Sequence, residues 1–264
     1  MRHGATETGR PIERHRAICA ALALCCAWLL PAVQAQAQVS GSLGVVSDYR
    51  YRGYSLSEGD PALQGSIAWD ATSAAMDGAY AGLFASTTRD DDGAGTEWVP
   101  YAGIARRDTA GRSWDVGVRY AYFGNAYDYL EAHVGVAFRH VAVRLHFAPD
   151  YYGAVPNAYL EADASVPFGE RVRLLLHGGV SHSGDDTQPV YVETYDYGYR
   201  GGNYRDVSYD RTRLDVSAGI ALRTAFCDVQ ATWQHVDGSD TAGYTAPWDP
   251  NDRSGFVLGC VHRW

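Results

Sequence analysis

The chain contains no lysine. Arginine supplies its 22 basic residues against 31 Asp and Glu, and no basic cluster suited to a phosphate backbone is present, so nucleic acid is not an expected partner. Beyond residue 37 the sequence also lacks any run approaching the 18 or so apolar residues of a membrane-spanning helix. Yet 46% of its residues are hydrophobic and its mean hydropathy is −0.26, so the apolar residues are scattered rather than gathered. A chain of this kind enters a bilayer only as strands, whose backbone groups pair with one another. Cysteine is sparse as well: Cys19, Cys25 and Cys26 fall in the first 37 residues, leaving Cys227 and Cys260.

Those first 37 residues read as a separate object. Arg10, Arg14 and Arg16 precede the apolar stretch 17–30, followed by Pro31 and the small residues Ala35 and Ala37. This is the pattern of a secretory signal peptide over 1–37, with cleavage expected within 35–38 and a mature domain over 38–264. Its removal takes four Arg and two Glu, leaving 18 basic and 29 acidic residues and a formal charge near −11. The exported compartment permits disulfides.

From Val39 onward the dominant pattern is alternation with period two, over about ten residues at a time. In 213–223, Leu214, Val216, Ala218, Ile220 and Leu222 face one way, and Asp215, Ser217 and Gly219 the other. The same holds for Val141, Val143, Leu145 and Phe147 against Arg144 and His146. It recurs for Leu130, Ala132, Val134, Val136 and Phe138 against Glu131 and His133. About twelve strands are expected, at 40–52, 61–71, 78–88, 96–106, 112–123, 128–139, 140–148, 157–167, 170–182, 211–223, 226–236 and 255–264. The fold class implied is all-β, an antiparallel transmembrane β-barrel. Tight links at 139–140, 168–169 and 224–225 alternate with polar links at 53–60, 89–95, 149–156, 183–210 and 237–254, matching short periplasmic turns and long extracellular loops.

Phe256, Leu258, Cys260, His262 and Trp264 alternate to the chain end, and Phe256, Leu258 and Trp264 form a terminal aromatic strand like the assembly signal of outer-membrane proteins. The implied partners are outer-membrane lipid and lipopolysaccharide, the barrel-assembly machinery and small solutes; the implied location is the outer membrane of a Gram-negative bacterium. A subunit interface would look like any other lipid-facing stripe, so oligomeric state carries no signal.

In Ser47-Asp48-Tyr49-Arg50-Tyr51-Arg52-Gly53-Tyr54-Ser55 and Pro61-Ala62-Leu63-Gln64-Gly65-Ser66 the chain resembles the TorF-type porin family, with echoes in 80–86, at Glu97 with Tyr101-Ala102-Gly103, and in Tyr129-Leu130-Glu131. Val99 departs from the acidic residue expected there. The resemblance, dense in the first hundred residues and thin afterwards, implies a single-chain barrel that passes small solutes and names no substrate.

If the apolar faces meet lipid, the lumen receives Asp48, Arg50, Arg52, Asp70, Glu97, Asp115, Arg119, Glu131, Arg144, Glu161, Asp163, Arg171, Arg173, Asp215 and Asp228. Such a mixed-charge lining either orients polar solutes in a pore or pairs internally as a polar core. Twelve strands lie between the filled eight-stranded barrels and the open sixteen-stranded ones. The tyrosine-rich segment 183–210 is long enough to fold inward, or stands as a surface loop. Asp90-Asp91-Asp92 and Asp185-Asp186 lack the spacing of a calcium loop and read as acidic loop tips, placed to bridge lipopolysaccharide through cations. For hydrolysis the nearest groupings are His182 with Asp185 and Asp186, and Ser181 with His177; the latter pair is four residues apart on one strand, too far for a direct bond. No catalytic residue, metal or cofactor is expected. Cys227 and Cys260 fall on apolar faces several residues out of register, so two free thiols are expected. Passive diffusion of small hydrophilic solutes is the leading reading; a structural or adhesive barrel, occluded by a loop that binds an external partner, is the other.

Overall fold

Alternating apolar and polar side chains cannot both be satisfied on a helix, and they draw this chain into strands with one oily and one wet face. The structure is a computed structural model describing residues 37–72, 76–90, 93–124, 127–152, 155–184, 188–196, 199–207, 212–237 and 254–264. Its strands are β1 (Ala37–Val46), β2 (Arg50–Tyr51), β3 (Tyr54–Ser55), β4 (Ala62–Ala71), β5 (Ala79–Asp90), β6 (Gly93–Arg107), β7 (Arg112–Ala121) and β8 (Tyr129–Phe138). They continue with β9 (Val141–Tyr151), β10 (Val155–Phe168), β11 (Val172–Ser183), β12 (Gln188–Asp196), β13 (Tyr199–Val207), β14 (Thr212–Arg223), β15 (Asp228–Asp237) and β16 (Ser254–Arg263). Twelve of them form one closed antiparallel barrel, every strand hydrogen-bonded to its chain neighbour in the wall, with β1 against β16 completing the circle. β2–β3 and β12–β13 are separate two-stranded hairpins.

The seam pairs Ser42 with Arg263 through Val46 with Gly259, and Gly41 and Trp264 exchange backbone bonds of 3.2 and 3.1 Å. No wall strand is left with an unpaired edge, the condition for a sheet to stand in hydrocarbon. The outer face carries large apolar side chains: on β14, Leu214 and Ile220 are more than half exposed, whereas Asp215 between them is 4% exposed on the inner face. His262, an uncommon residue in a terminal assembly strand, stacks on Trp264 (centroids 6.0 Å apart) and donates from Nδ1 to the Phe226 carbonyl at 2.6 Å.

The short links 108–111, 139–140, 169–171 and 224–227 lie at the same barrel end as Ala37 and Trp264. Residues 47–61, 184–211 and 238–253 connect strands at the other end. Two links expected to be long are short. β5 and β6 pair to their tips, Asp90 opposite Gly93, and β9 and β10 pair as far as Tyr151 and Val155. Of the acidic tips, 91–92 and 185–186 lie outside the described residues, as does 1–36; β1 already begins at Ala37. The tyrosine-rich segment contains the hairpin β12–β13, with Asp196 opposite Tyr199; its tyrosine side chains lie outside the described residues.

The expectation of two free thiols is corrected. Cys227 and Cys260 form a disulfide, with Cα atoms 5.8 Å apart. Val229 is the register partner of Cys260, so Cys227 is offset by two residues only. Cys227 precedes β15 in a turn closed by Thr224, whose amide donates to the Cys227 carbonyl and whose hydroxyl accepts from the Cys227 amide at 3.1 Å. That turn brings the thiol to its diagonal neighbour.

Candidate functional site

The first strand ends six residues earlier than its alternation predicts, at Val46 rather than at 52. At Ser47 the backbone amide donates to the Leu258 carbonyl and the hydroxyl accepts from the Leu258 amide, so the chain is tied off against β16 and leaves the wall. Asp48 then turns the segment inward. Its carboxylate accepts from Arg50 Nε and the Ser55 hydroxyl at 2.5 Å and from the Ser57 hydroxyl at 3.2 Å. The Leu56 amide donates to the Tyr49 carbonyl at 2.6 Å, and the Arg89 amide on β5 donates to the Leu56 carbonyl at 2.9 Å.

Between these clamps β2 and β3 form a hairpin with Tyr51 opposite Tyr54. Its two turn residues, Arg52 and Gly53, have φ of 50° and 86°. Positive φ at both central positions is the tight turn that matches strand twist, natural for Gly53 and costing about 1–3 kcal/mol at Arg52. Wall contacts hold Arg52 there. Its Nη2 donates to Glu131 on β8 at 2.6 Å, its Nη1 to Asn157 on β10 at 3.4 Å, and its guanidinium lies 4.0 Å over the Tyr159 ring. A Cβ on Gly53 would sit 2.6 Å from Val236 on β15 and 3.2 Å from Asp215 on β14, so the hairpin tip abuts the wall there. The segment 47–61 therefore leaves β1, contacts β8 and β10, and reaches β14 and β15. It spans the lumen at the long-loop end.

Part of the space around it is filled. Tyr49, Leu56, Ala62, Ala121, Tyr129, Ala148, Tyr151 and Tyr152 form a buried apolar cluster, in which the Tyr129 ring meets those of Tyr151 and Tyr152 edge-on at 4.9 Å. Tyr49 donates to Glu97 at 2.6 Å; burial, and after it the Glu97 carboxylate, hold that hydroxyl well above its usual pKa, so it remains the donor.

Below the hairpin runs a ladder of charges. Glu131, 1% exposed, also accepts from Arg119 Nε at 2.8 Å and His146 Nδ1 at 2.9 Å. His146 Nε2 meets Glu161 at 3.0 Å, and Arg144 lies 3.7 Å from Glu161 and 3.8 Å from Asp115. Asp115 faces His133 at 2.7 Å. His177 stands between Asp163 at 2.7 Å and Asp215 at 2.8 Å, and Tyr159 donates to Asp215. Nearer the short-turn end Asp228 gathers Arg173 at 3.1 Å and Arg263 at 2.6 Å. Toward that end the lumen is open: a cavity of about 1150 Å³ is bordered by Arg107, Arg112, Phe138, Asp163, Arg173 and His177. A second space of about 590 Å³, between Tyr49, Glu97, Arg119 and His146, lies under the hairpin.

Of the charged positions selected by alternation, Glu97, Asp115, Arg119, Glu131, Arg144, Glu161, Asp163, Arg173, Asp215 and Asp228 join this interior network. Asp70, on β4, is exposed near the short-turn end. Asp48, Arg50 and Arg52 are not carried by β1 as expected, because β1 stops at Val46; they belong to the inward segment. Arg171 is corrected to an exposed turn position, since β11 starts one residue later; its carbonyl accepts from the Arg223 amide. Alternation places His133 and His146 on wet faces and His177 enters only as a base for Ser181, but none of the three is selected for the lining; Tyr49, Asn157 and Tyr159 are not selected either. Histidines at wet positions of strands already rich in carboxylates were the available signal. Ser181 and His177 are not brought together: Ser181 accepts from Asn157 at 2.7 Å, while His177 faces its two acids.

Among solved structures the chain is similar to the TodX monoaromatic hydrocarbon channel (a deltaS2 mutant), at 9% identity over 86% of this chain and 88% of that one, with a TM-score of 0.38. It is also similar to LpxR from Salmonella typhimurium, at 8% identity over 85% and 99%, TM-score 0.39. OmpT, an outer membrane protein of Vibrio cholerae, aligns at 12% identity over 90% and 100%, TM-score 0.32. No curated protein matches the chain. The match to a family model covers residues 32–243, most of the barrel, and the chain belongs to that family, Gcw_chp, bacterial proteins of unknown function.

Proposed function

We propose that this protein is an outer-membrane pore for small hydrophilic solutes, closed at its outer mouth by the hairpin of β2 and β3. In this reading the short turns face the periplasm and the cavity of about 1150 Å³ is a periplasmic vestibule. The observation that carries it is a pair of adjoining spaces: the charged vestibule at the short-turn end shares Ser113 and Ala137 with the upper space of about 590 Å³, which is bordered by Tyr49 of a segment held to the wall by non-covalent contacts. Arginines and carboxylates interleave along these spaces, a lining that favours polar solutes and disfavours apolar ones. The resemblance of 47–55 and 61–66 to the TorF-type porins agrees with this reading, and its first stretch, 47–55, lies in the closing segment.

The density of the Glu131 cluster favours a second reading, a structural barrel plugged for good. Excising the hairpin separates the two. Val46 and Ala62 are register partners, so a short Gly-Ser loop can replace 48–59 without disturbing the wall. In planar bilayers the excised protein is expected to give steady conductance steps while the unaltered protein stays mostly closed. Silence from the folded, excised protein would sink the pore; equal conductance from both would sink the plug.

A further inference from the structure

We propose that the barrel wall carries a site for one divalent transition-metal ion of the zinc class, built from Glu161, Asp163 and His177. The inference does not depend on whether the barrel conducts.

The fold puts the three side chains on one patch. Asp163 on β10 is the register partner of His177 on β11, and Glu161 precedes Asp163 by two residues on the same face. Their ligand atoms lie within 4.8 Å of one another. Zinc holds nitrogen and carboxylate oxygen at about 2.0–2.2 Å, so its ligands stand up to roughly 4 Å apart, and a small side-chain adjustment closes the set.

The chemistry of His177 points the same way. Nδ1 faces Asp163 at 2.7 Å and Nε2 faces Asp215 at 2.8 Å. A neutral imidazole has one N–H and one bare lone pair, and here the bare nitrogen would confront a carboxylate oxygen. Either a second proton or a cation must occupy that side. The two sides differ. Asp215 is 5% exposed in its side chain and is fixed by Tyr159, which donates to both its oxygens at 2.9 and 3.0 Å. Asp163 is 45% exposed and borders the 1150 Å³ cavity. The buried side therefore keeps the proton, with Nε2–H donating to Asp215, and the open side takes the metal on Nδ1. A carboxylate behind a ligating imidazole is the usual support for such an ion, because it fixes the tautomer and raises ligand basicity. Local charge agrees: Glu161, Asp163 and Asp215 are gathered about His177, while His146 at 3.0 Å and Arg144 at 3.7 Å both meet Glu161 through Oε1, and Arg144 is shared with Asp115. Three protein ligands leave the fourth position to water from the cavity, accessible from the short-turn end.

Gly179 completes the support. A Cβ there would stand 2.6 Å from Asp215 Oδ2 and from the Tyr159 ring, so only glycine admits the pair behind His177.

The test is calorimetric titration of the untagged, folded, EDTA-treated barrel in detergent with zinc chloride, with calcium chloride as comparator. One equivalent of Zn²⁺ is expected, bound at least tenfold more tightly than Ca²⁺, since an imidazole ligand disfavours the harder ion. Asp163→Asn, at a half-exposed position that leaves folding intact, and His177→Gln are each expected to weaken it by at least about tenfold; Asp215→Asn should weaken it by roughly 10–100-fold through the supporting bond. His182→Gln, which touches Thr212 near the long-loop end, should change nothing. Heat-modifiable migration on gels reports folding of every variant. No binding by the unaltered protein, undiminished binding in both ligand variants, or equal affinity for calcium would each overturn the site; in the first case His177 carries the second proton.

Discussion

Replacing Glu131 by Gln should open the barrel. Among the described residues Glu131 is the most deeply buried charge, and it accepts from two guanidiniums, Arg52 at 2.6 Å and Arg119 at 2.8 Å, and from His146 at 2.9 Å. Glutamine keeps the shape and removes the charge, leaving two arginines without their carboxylate. Breaking a buried pair from one side costs about 3–5 kcal/mol, because the surviving charge is uncompensated. Arg52 recovers hydration when the hairpin swings out, whereas Arg119 on β7 does not, so the lower figure of about 3 kcal/mol applies to the balance between hairpin in and hairpin out. At about 1.4 kcal/mol per tenfold, the open population should rise by roughly a hundredfold. Arg52→Gln should act in the same direction but less, since Glu131 then retains Arg119 and His146. Single-channel recording in planar bilayers reads both as open probability, with heat-modifiable migration confirming that the barrels are folded. An open probability for folded Glu131→Gln equal to that of the unaltered protein, or a larger effect from Arg52→Gln, would refute the reasoning.

Gly179→Ala forces a methyl group to 2.6 Å from Asp215 Oδ2 and should lower stability by about 1–3 kcal/mol, read as an earlier urea midpoint; an unchanged midpoint would show that Tyr159 and Asp215 are free to move. A thiol count on the unfolded, non-reduced protein freed of residues 1–37 should find neither Cys227 nor Cys260 reactive. The Cys227→Ser/Cys260→Ser protein should be about 2–4 kcal/mol less stable; two reactive thiols in the unaltered protein would remove the disulfide from the description. Deleting 186–208 should leave bilayer conductance as it was, because closure rests on the segment 47–61; conductance matching that of the hairpin-excised protein would move the closure to β12–β13.

The wall was legible because alternation is local. The run 213–223 needs no partner to declare its two faces, and β14 follows it from Thr212 to Arg223. Alternation also hides what it does not end. Asp48-Tyr49-Arg50-Tyr51-Arg52 continues the period of β1 across Val46, and the departure at Ser47 is set by Leu258, at the far end of the chain. The local clue was Arg52-Gly53 between two tyrosines, a two-residue turn lost in what reads as one long strand. Glycine and aspartate around 89–95 suggested a loop, yet Thr88 and Arg89 pair with Gly95 and Ala94, because cross-strand pairing outweighs weak strand propensity. The disulfide was missed for a similar reason: register carried down from the loop 237–254 is off by the curl that Thr224 imposes on Cys227. For the interior, parity selected carboxylates and arginines but not which of them meet, and histidines that bridge two acids look from the sequence like any polar residue facing inward.

The most direct measurement is a crosslink across the lumen. With Cys227 and Cys260 changed to Ser, cysteines at 53 and 236 place the hairpin tip against β15, within the reach of a disulfide after a small adjustment. Mild oxidation of outer membranes carrying Gly53→Cys/Val236→Cys should give a crosslinked band of altered gel mobility, reversed by reductant, and in bilayers the oxidised protein should stay shut until reduced. No crosslink above that of either single cysteine, in a barrel that still migrates as folded, would place the hairpin outside the lumen and contradict closure by this segment.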